Sequence, residues 1–300
     1  MTGWVRVLHP VIPSSRHPVA HHVENAADRF AAAGFREPRR GAWRLWGAVA
    51  GVTAGEAWRT GHAPASPGLV EQFERAVARR LEGAPFAYAV GTAAFRTLEL
   101  AVDRRVLIPR PETEGLVDRV LAWAGRRTRW GVAADIGTGS GCIALSLAVE
   151  GRFTRVLATD WSAEALAVAR ENARRVTPVT PVEFRAGDLL WPLRREQVDV
   201  LVSNPPYVTA AEWEALEPGV RDWEPRQALV AGPDGLRHTD ALLRAAPSAL
   251  RPGGLLAIEV DCGRAAATHA LARALGWRDA RLEEDLFGRP RYLLATREDA

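Results

Sequence analysis

Residues 132–141, Val132-Ala133-Ala134-Asp135-Ile136-Gly137-Thr138-Gly139-Ser140-Gly141, run from an apolar strand-like segment into a glycine-rich turn. A helical pattern follows from Cys142 to Val149. A strand, a glycine turn and a helix in this order bind nucleotides in open α/β sheets, at the carboxyl ends of the strands. Glycine tolerates positive φ and lets the backbone approach a ligand closely. The segment therefore predicts an α/β fold with a ligand site at this turn.

Strand-like and helical segments alternate from this turn to the end of the chain, which is typical of repeated βαβ units. The last two strands leave no room for a helix between them and predict an antiparallel hairpin at the sheet edge. The sequence thus predicts a doubly wound, mostly parallel sheet of seven strands. Strands are expected at Val132–Ile136, Arg155–Thr159, Val182–Arg185, Val198–Val202, Leu255–Val260, Ala280–Leu282 and Arg291–Ala295. Helices are expected at Thr113–Ala124, Cys142–Val149, Ala163–Arg174, Ala241–Leu250 with a break or kink at Pro247, and Ala265–Leu275.

Four regions of the chain differ in pattern. Residues 1–20 contain three prolines and predict an irregular extension. Residues 21–84 show helical periodicity and predict a small helical bundle, with its third helix at Leu69–Leu81. Residues 85–106 alternate apolar side chains around Gly91 and predict a β-hairpin linker. Residues 107–300 hold the α/β pattern.

The charge balance is nearly neutral where the ligand turn lies. All 39 basic residues are arginine; residues 1–92 carry 11 of them against 7 acids, and residues 93–300 carry 28 against 29. The net charge of +3 permits contact with nucleic acid but does not indicate it. Most of the positive excess therefore lies in the N-terminal region.

Cysteine usage and hydropathy bear on the compartment. Two cysteines in 300 residues do not form a disulfide framework. Neither a signal peptide nor an apolar run of membrane-spanning length is recognisable. The adjacent pair His21-His22 lacks further ligands at metal spacing, so no metal site is predicted. We expect a cytoplasmic protein without a membrane partner.

Three acidic residues follow successive strands. Asp160 ends the second strand and is placed to accept hydrogen bonds from ribose hydroxyls. Asp188, in Gly187-Asp188-Leu189, is placed to accept from an adenine amino group. The glycine spacing weighs against a pyrophosphate on the helix N-terminus, and Asp135 would repel phosphate while suiting a cationic sulfonium.

The tetrapeptide Asn204-Pro205-Pro206-Tyr207 follows the fourth strand, at the same edge of the sheet. Two prolines fix φ and remove two backbone donors, so the turn is stiff and its carbonyls lack local partners. The Asn204 side-chain oxygen and the Pro205 carbonyl could accept both hydrogens of a planar amino group. Tyr207 offers an aromatic face to the plane of that group or to a nearby cation.

Together these residues resemble a class I S-adenosylmethionine-dependent methyltransferase acting on a planar nitrogen. Four further stretches resemble the release factor glutamine methyltransferase (PrmC/HemK) family. They are Arg79–Tyr88 with Gly91, Val106–Glu114, Val220–Leu229 and Gly232–Leu236. The chain departs from that family's pattern at Gly219 and at Asp261-Cys262-Gly263-Arg264, which affects docking detail rather than chemistry.

The resemblance implies a function, a set of site residues and a substrate-docking role for the helical residues 21–84. The implied reaction is methylation of the glutamine amide nitrogen in the Gly-Gly-Gln loop of peptide chain release factors, with no nucleic acid required. The implied cofactor is S-adenosyl-L-methionine. The catalytic residues would be Asn204, Pro205, Pro206 and Tyr207. The cofactor-binding residues would be Asp135, Gly137, Thr138, Gly139, Ser140, Gly141, Asp160, Asp188, Leu189 and Asn204.

Other readings of the same residues stay open. The tetrapeptide would also hold an exocyclic amine of a DNA or RNA base, which requires a basic groove beside the site and extrusion of the base. A non-catalytic module with this fold would be expected to lose Asn204 or the glycines, and all are present. A dinucleotide oxidoreductase fits the glycine spacing least well.

Overall fold

A computed structural model describes residues 17–298, which form two compact units that meet in the sequence between Val90 and Gly91. The expectation for residues 1–16 lies outside the described residues. The predicted extension is too long at its other end, because Val19 and Ala20 already belong to the first helix.

The first unit is helical. Its helices are α1 (Val19–Ala32), α2 (Pro38–Ala50), α3 (Ala54–Arg59), α4 (Pro67–Leu81) and α5 (Phe86–Val90). Phe30, Trp46 and Phe73 are buried in its core, with the rings of Trp46 and Phe73 packed edge to face at 5.0 Å. Pro67 starts α4 rather than ending a loop, since proline at the first helical position already has the required φ.

The prediction of strand-like structure from Phe86 to Val90 is wrong. This segment is α5, and the Ala89 N–H donates to the Pro85 carbonyl at 3.0 Å. Phe86, Tyr88 and Val90 alternate with alanines, and alanine is the strongest helix former. The alternation therefore did not indicate a strand here.

The second unit contains a seven-stranded sheet in the order β5-β4-β3-β6-β7-β9-β8. The neighbouring pairs from β5 to β7 are parallel, and β9 runs antiparallel to both β7 and β8. The predicted doubly wound sheet and its closing hairpin are confirmed. The strands are β3 (Val132–Ile136), β4 (Arg155–Asp160), β5 (Val182–Ala186), β6 (Val198–Ser203), β7 (Leu250–Glu259), β8 (Arg281–Glu284) and β9 (Pro290–Thr296).

Helices cover both faces of the sheet. Leu116, Leu145 and Leu147 pack on one face, and Leu242 and Ala272 on the other. The helix that begins at Arg237 continues through Pro247 to Ala249, so the sequence-predicted break at Pro247 does not occur. The helices of this unit are α6 (Pro111–Gly125), α7 (Cys142–Glu150), α8 (Ala163–Val176), α9 (Ala210–Ala215), α10 (Pro218–Arg221), α11 (Arg237–Ala249) and α12 (Ala265–Ala274). Within residues 17–298, no helix combines the length and apolar character needed to cross a bilayer.

The predicted hairpin consists of β1 (Thr92–Phe95) and β2 (Leu98–Ala101), and it packs into the second unit. Leu100 is fully buried in the core beneath α6 and α7. The Asn172 side chain of α8 accepts from the Ala101 N–H at 2.7 Å and donates to the Ala101 carbonyl at 3.0 Å. The hairpin is thus part of the α/β unit rather than a free linker.

Candidate active site

A cavity of about 570 Å³ opens at the carboxyl ends of β3, β4 and β6. This is where the strand order reverses, with β4 on one side of β3 and β6 on the other. Ligands of doubly wound sheets bind at such a switch point. The volume lies within the range of small-molecule sites. Of the predicted site residues, Gly137, Gly139, Asp160, Asp188, Leu189, Asn204, Pro205 and Pro206 line the cavity.

The glycine turn presents its open backbone to this cavity. Gly137 and Gly139 have φ of 73° and 54°, and a β-carbon on either would have no neighbour within 4 Å. Gly141 serves packing instead, because a β-carbon there would meet Leu145 at 3.2 Å and Ala169 at 3.3 Å. The turn therefore leaves room for a ligand lying directly on the backbone.

Five predicted residues do not line the cavity: Asp135, Thr138, Ser140, Gly141 and Tyr207. Asp135 is fully buried under the turn, and its Oδ2 accepts from Thr138 Oγ1 at 2.7 Å and from the Ala144 N–H at 3.1 Å. Burial raises the pKa of Asp135 to about 7, against the effect of these hydrogen bonds. Asp135 therefore braces the turn, and its Oδ2 also accepts from a backbone N–H in the first turn of α7.

Asp160 is the last residue of β4 and connects that strand to the glycine turn by a hydrogen bond. Its Oδ2 accepts from the Gly139 N–H and its Oδ1 from the Ser162 N–H, both at 2.9 Å. Burial raises the pKa of Asp160, and the backbone hydrogen bonds oppose that rise. Each carboxylate oxygen can accept a second hydrogen bond, so Asp160 can still receive two hydroxyl groups from a ligand.

The far wall of the cavity comes from the segment after β5 and the start of α11. Asp188 and Leu189 lie there, and Leu189 adopts a positive φ of 44°. His238 lines the same wall, and its pKa is lowered by burial and by the Arg237 charge, with Asp188 acting in the opposite direction. Trp161, which follows Asp160, is 63% exposed and also lines the cavity.

Asn204 is held at the end of β6 by its side-chain nitrogen. Asn204 Nδ2 donates to Thr113 Oγ1 at 3.0 Å. Ser203 Oγ, one residue earlier, donates to the Ile136 carbonyl at 2.7 Å and ties β6 to the start of the glycine turn. Within residues 17–298 no side chain or backbone group donates to Asn204 Oδ1, so this oxygen is the amide atom available to a ligand.

Tyr207 does not line the cavity. It packs against the apolar cluster of Val208, Trp213 and Leu229. Burial raises the pKa of its hydroxyl to about 12. The ring therefore anchors the diproline turn through packing.

Known proteins match both units. The model of the PrmC N-terminal domain matches residues 22–91, and that of the methyltransferase small domain matches residues 119–216. Release factor glutamine methyltransferase of Moorella thermoacetica is 42% identical over 275 residues, covering 91% of this chain and 96% of that protein. The chain belongs to the release factor glutamine methyltransferase family.

Two further matches agree with this membership. Release factor glutamine methyltransferase of Cereibacter sphaeroides is 39% identical over 270 residues, covering 90% of this chain and 95% of that protein. The crystal structure of a methyltransferase from Pyrococcus furiosus aligns with a TM-score of 0.50 at 21% identity, over 74% of this chain and 98% of that one. The latter supports the class I methyltransferase fold alone.

The sequence analysis did not identify several residues that support the active site of this release factor glutamine methyltransferase family member. Thr113 and Glu259 stand behind Asn204, and both are buried. Asn172 donates to the Ser140 carbonyl at 2.9 Å and so supports the glycine turn from α8. Thr113 and Asn172 lie in helices, whereas a position at a strand end is the signal that identified the acidic residues and the tetrapeptide. Glu259 does end a strand, but the predicted strand continued to Val260, so Glu259 was not recognised as a strand-end acid.

Proposed function

We propose that this protein methylates the side-chain amide nitrogen of the glutamine in the Gly-Gly-Gln loop of peptide chain release factors. The observation that carries the proposal is Asn204, which commits its nitrogen to Thr113 and keeps its oxygen for a ligand at the cavity. A side-chain oxygen beside a proline carbonyl, on a stiff turn, suits a group with two N–H donors in one plane. The glutamine carboxamide is such a group.

The cavity suits S-adenosyl-L-methionine. Gly137 and Gly139 leave backbone open to a ligand, Asp160 can accept ribose hydroxyls, and Asp188 can accept an amino group. When bound, the cofactor supplies a methyl group made electrophilic by its sulfonium. The chain's own residues bind and orient the two partners.

Positioning is the main task of the residues around the amide. An amide nitrogen is a weak nucleophile because its lone pair is delocalised. Asn204 Oδ1 and the Pro205 carbonyl accept its two hydrogens, which orients the nitrogen and excludes water from it. The nitrogen becomes acidic only after alkylation, so no strong base is required beforehand. We therefore assign neither Glu112 nor Asp188 as a general base.

The helical unit of residues 17–90 is the proposed docking element for the protein substrate. Residues 17–90 carry nine arginines against seven acidic residues, so charge contributes little to the case for docking. We propose that the protein acts in the cytoplasm and needs no nucleic acid.

A base N-methyltransferase is the second candidate, favoured by one observation. A second cavity of about 840 Å³ shares Arg105 and Arg237 with the first and is also lined by Arg104 and Arg226. Three of these arginines are engaged: Arg105 with Asp103 at 2.5 Å, Arg104 over the Trp223 ring and Arg226 over the Trp213 ring. The positive charge available to nucleic acid along this cavity is therefore lower than the presence of four arginines indicates.

Labelled methyl transfer distinguishes the two candidates. The purified protein is incubated with labelled S-adenosylmethionine and either a release factor, the same factor with its loop glutamine changed to alanine, or nucleic acid. The proposal requires label in the intact release factor and none in the altered factor. Label in nucleic acid instead would establish the second candidate.

A further inference from the structure

We infer that Thr113 and Glu259 are positioning residues that fix the orientation of the Asn204 carboxamide and thereby the choice of glutamine as substrate. The inference rests on the proposed function and deepens it. It concerns two side chains that do not line the cavity and that act only through Asn204.

The side chains of Glu259, Thr113 and Asn204, which we call the relay, are connected by hydrogen bonds whose donors all point the same way. A carboxylate only accepts hydrogen bonds, whereas a hydroxyl both donates one and accepts others. Glu259 lies beside Asn204, because Asn204 and Glu259 each follow a residue of the Ser203–Ile258 pair in the register of β6 and β7. The Thr113 hydroxyl opposes the rise in the pKa of the Glu259 carboxyl, as a hydrogen-bond donor does. Its oxygen is then left to accept, and Asn204 Nδ2 donates to it at 3.0 Å. Asn204 Oδ1 consequently points away from Thr113, towards the ligand.

The relay is held in place by its surroundings. Glu259 ends β7 one residue beyond Ile258, which pairs with Ser203 in the register of β6 and β7. Tyr292 of β9 pairs with Glu259 of β7. Its hydroxyl donates to the carbonyl of Glu112, the residue before Thr113, at 2.7 Å. The first turn of α6 is therefore fixed to the same strands that carry Glu259.

Packing alone does not account for a carboxyl group at this position. Thr113 and Glu259 are 2% and 1% exposed, and Glu259 Oε2 has no hydrogen-bond partner within the described chain. A buried acid in such surroundings is usually less favourable to folding than an apolar side chain of similar volume. A role in setting the polarity of Asn204 gives the acid a reason to be there.

The consequence for specificity follows from the two possible orientations of the Asn204 carboxamide. With Oδ1 towards the ligand, the site accepts two N–H groups and leaves its acceptors unpaired when the ligand is a carboxylate. With the amide turned over, the –NH2 group would face the ligand and favour a carboxylate. Loss of the relay should therefore weaken the discrimination between glutamine and glutamate.

The test uses the full chain and four variants: Thr113→Val, Thr113→Ser, Glu259→Gln and the control Thr268→Val, which removes a buried hydroxyl on α12. Methyl transfer to the release factor is measured, together with calorimetric binding of S-adenosylmethionine. A release factor whose loop glutamine is replaced by glutamate serves as competitive inhibitor. Its inhibition constant, relative to the KM of the intact factor, reports the discrimination.

The relay predicts that Thr113→Val and Glu259→Gln lower kcat/KM on the order of 10- to 100-fold while cofactor binding stays unchanged. Both variants should bind the glutamate factor more tightly relative to the glutamine factor. Thr113→Ser keeps a hydroxyl and should retain both the kcat/KM and the discrimination of the unaltered protein. An unchanged discrimination in Thr113→Val, with folding and cofactor binding intact, overturns the inference and leaves the proposed function standing. Absence of methyl transfer by the unaltered protein would instead count against the proposed function.

Discussion

Arg110 and Glu224 form a partly buried ion pair, with Arg110 Nη2 2.6 Å from Glu224 Oε1, between segments 114 residues apart in the chain. The other carboxylate oxygen accepts from the Ile108 N–H at 3.2 Å. The Glu224 side chain is 1% exposed and that of Arg110 is 31% exposed. The pair therefore joins the segment that precedes α6 to the loop that follows α10. Both segments were among those that gave the family resemblance.

Replacing Glu224 with alanine should destabilise this junction. The change leaves the Ile108 N–H and the Arg110 guanidinium without their acceptor, and a buried unpaired donor costs about 1–3 kcal/mol. Urea unfolding followed by tryptophan fluorescence measures the free energy of unfolding. The matched control is Asp222→Ala, which removes an exposed partner of Arg221 and should change stability by less than about 0.5 kcal/mol. Equal losses in both variants would mean that the ion pair has no special role.

Asn204→Ala should lower methyl transfer by about 10²–10³-fold, because it removes a preorganised acceptor for the amide hydrogens. Affinity for S-adenosylmethionine should change little, since most of the cavity lining lies elsewhere. Single-turnover transfer of label and calorimetric binding measure the two properties separately. Full turnover by this variant would remove the tetrapeptide from the mechanism.

Asp160→Ala should act on the cofactor instead. The change removes the acceptor for the Gly139 and Ser162 N–H groups and the proposed acceptor for ribose hydroxyls. We expect cofactor affinity to fall about 10- to 100-fold, from one or two lost charge-assisted hydrogen bonds. Isothermal calorimetry gives the dissociation constant. Glu164→Ala, on the exposed side of α8, is the control, and an unchanged constant for Asp160→Ala would assign this acid to loop structure only.

The sheet and the ligand edge could be predicted because both are encoded locally. Apolar runs bounded by turn residues marked the central strands β3, β4, β6 and β7, and β3 begins and ends where the sequence placed it. The short helices α3 and α9 were missed, although Thr53 with Glu56 and Thr209 with Glu212 form capping boxes. That pattern is a helix-start signal in the sequence itself.

The support behind Asn204 could not be predicted from sequence. Asn204 and Thr113 are 91 residues apart, and their contact depends on β6, β7 and α6 meeting at one edge. Asp135 shows the reverse case, because its position before the turn suggested a ligand contact. Only the structure shows that its carboxylate is sealed under the turn by Thr138 and Ala144.

The protonation of Glu259 should make methyl transfer depend on pH near neutrality. Burial raises the pKa of Glu259 to about 7, from an ordinary value of 4.5, and the Thr113 hydrogen bond and Arg291 oppose the rise. The charged or titratable groups coupled to it are Arg110, Glu112, Arg291, Tyr207, Tyr292 and Cys142. A protonated Glu259 can donate to Thr113, and the hydroxyl is then free to donate to Asn204 and turn its amide over.

Activity should therefore rise as pH increases through about 7, where Glu259 becomes an acceptor only. Stability should change in the opposite direction, since a raised carboxyl pKa makes the folded state less stable as pH rises from 4.5 to about 7. The contribution of Glu259 to the folded fraction therefore cannot produce a gain in activity over this range. The measurement is kcat/KM for the release factor between pH 6 and 8, in the unaltered protein and in Glu259→Gln. The variant should have lower activity without the rise, and persistence of the rise in Glu259→Gln would assign it to another group, such as Asp135.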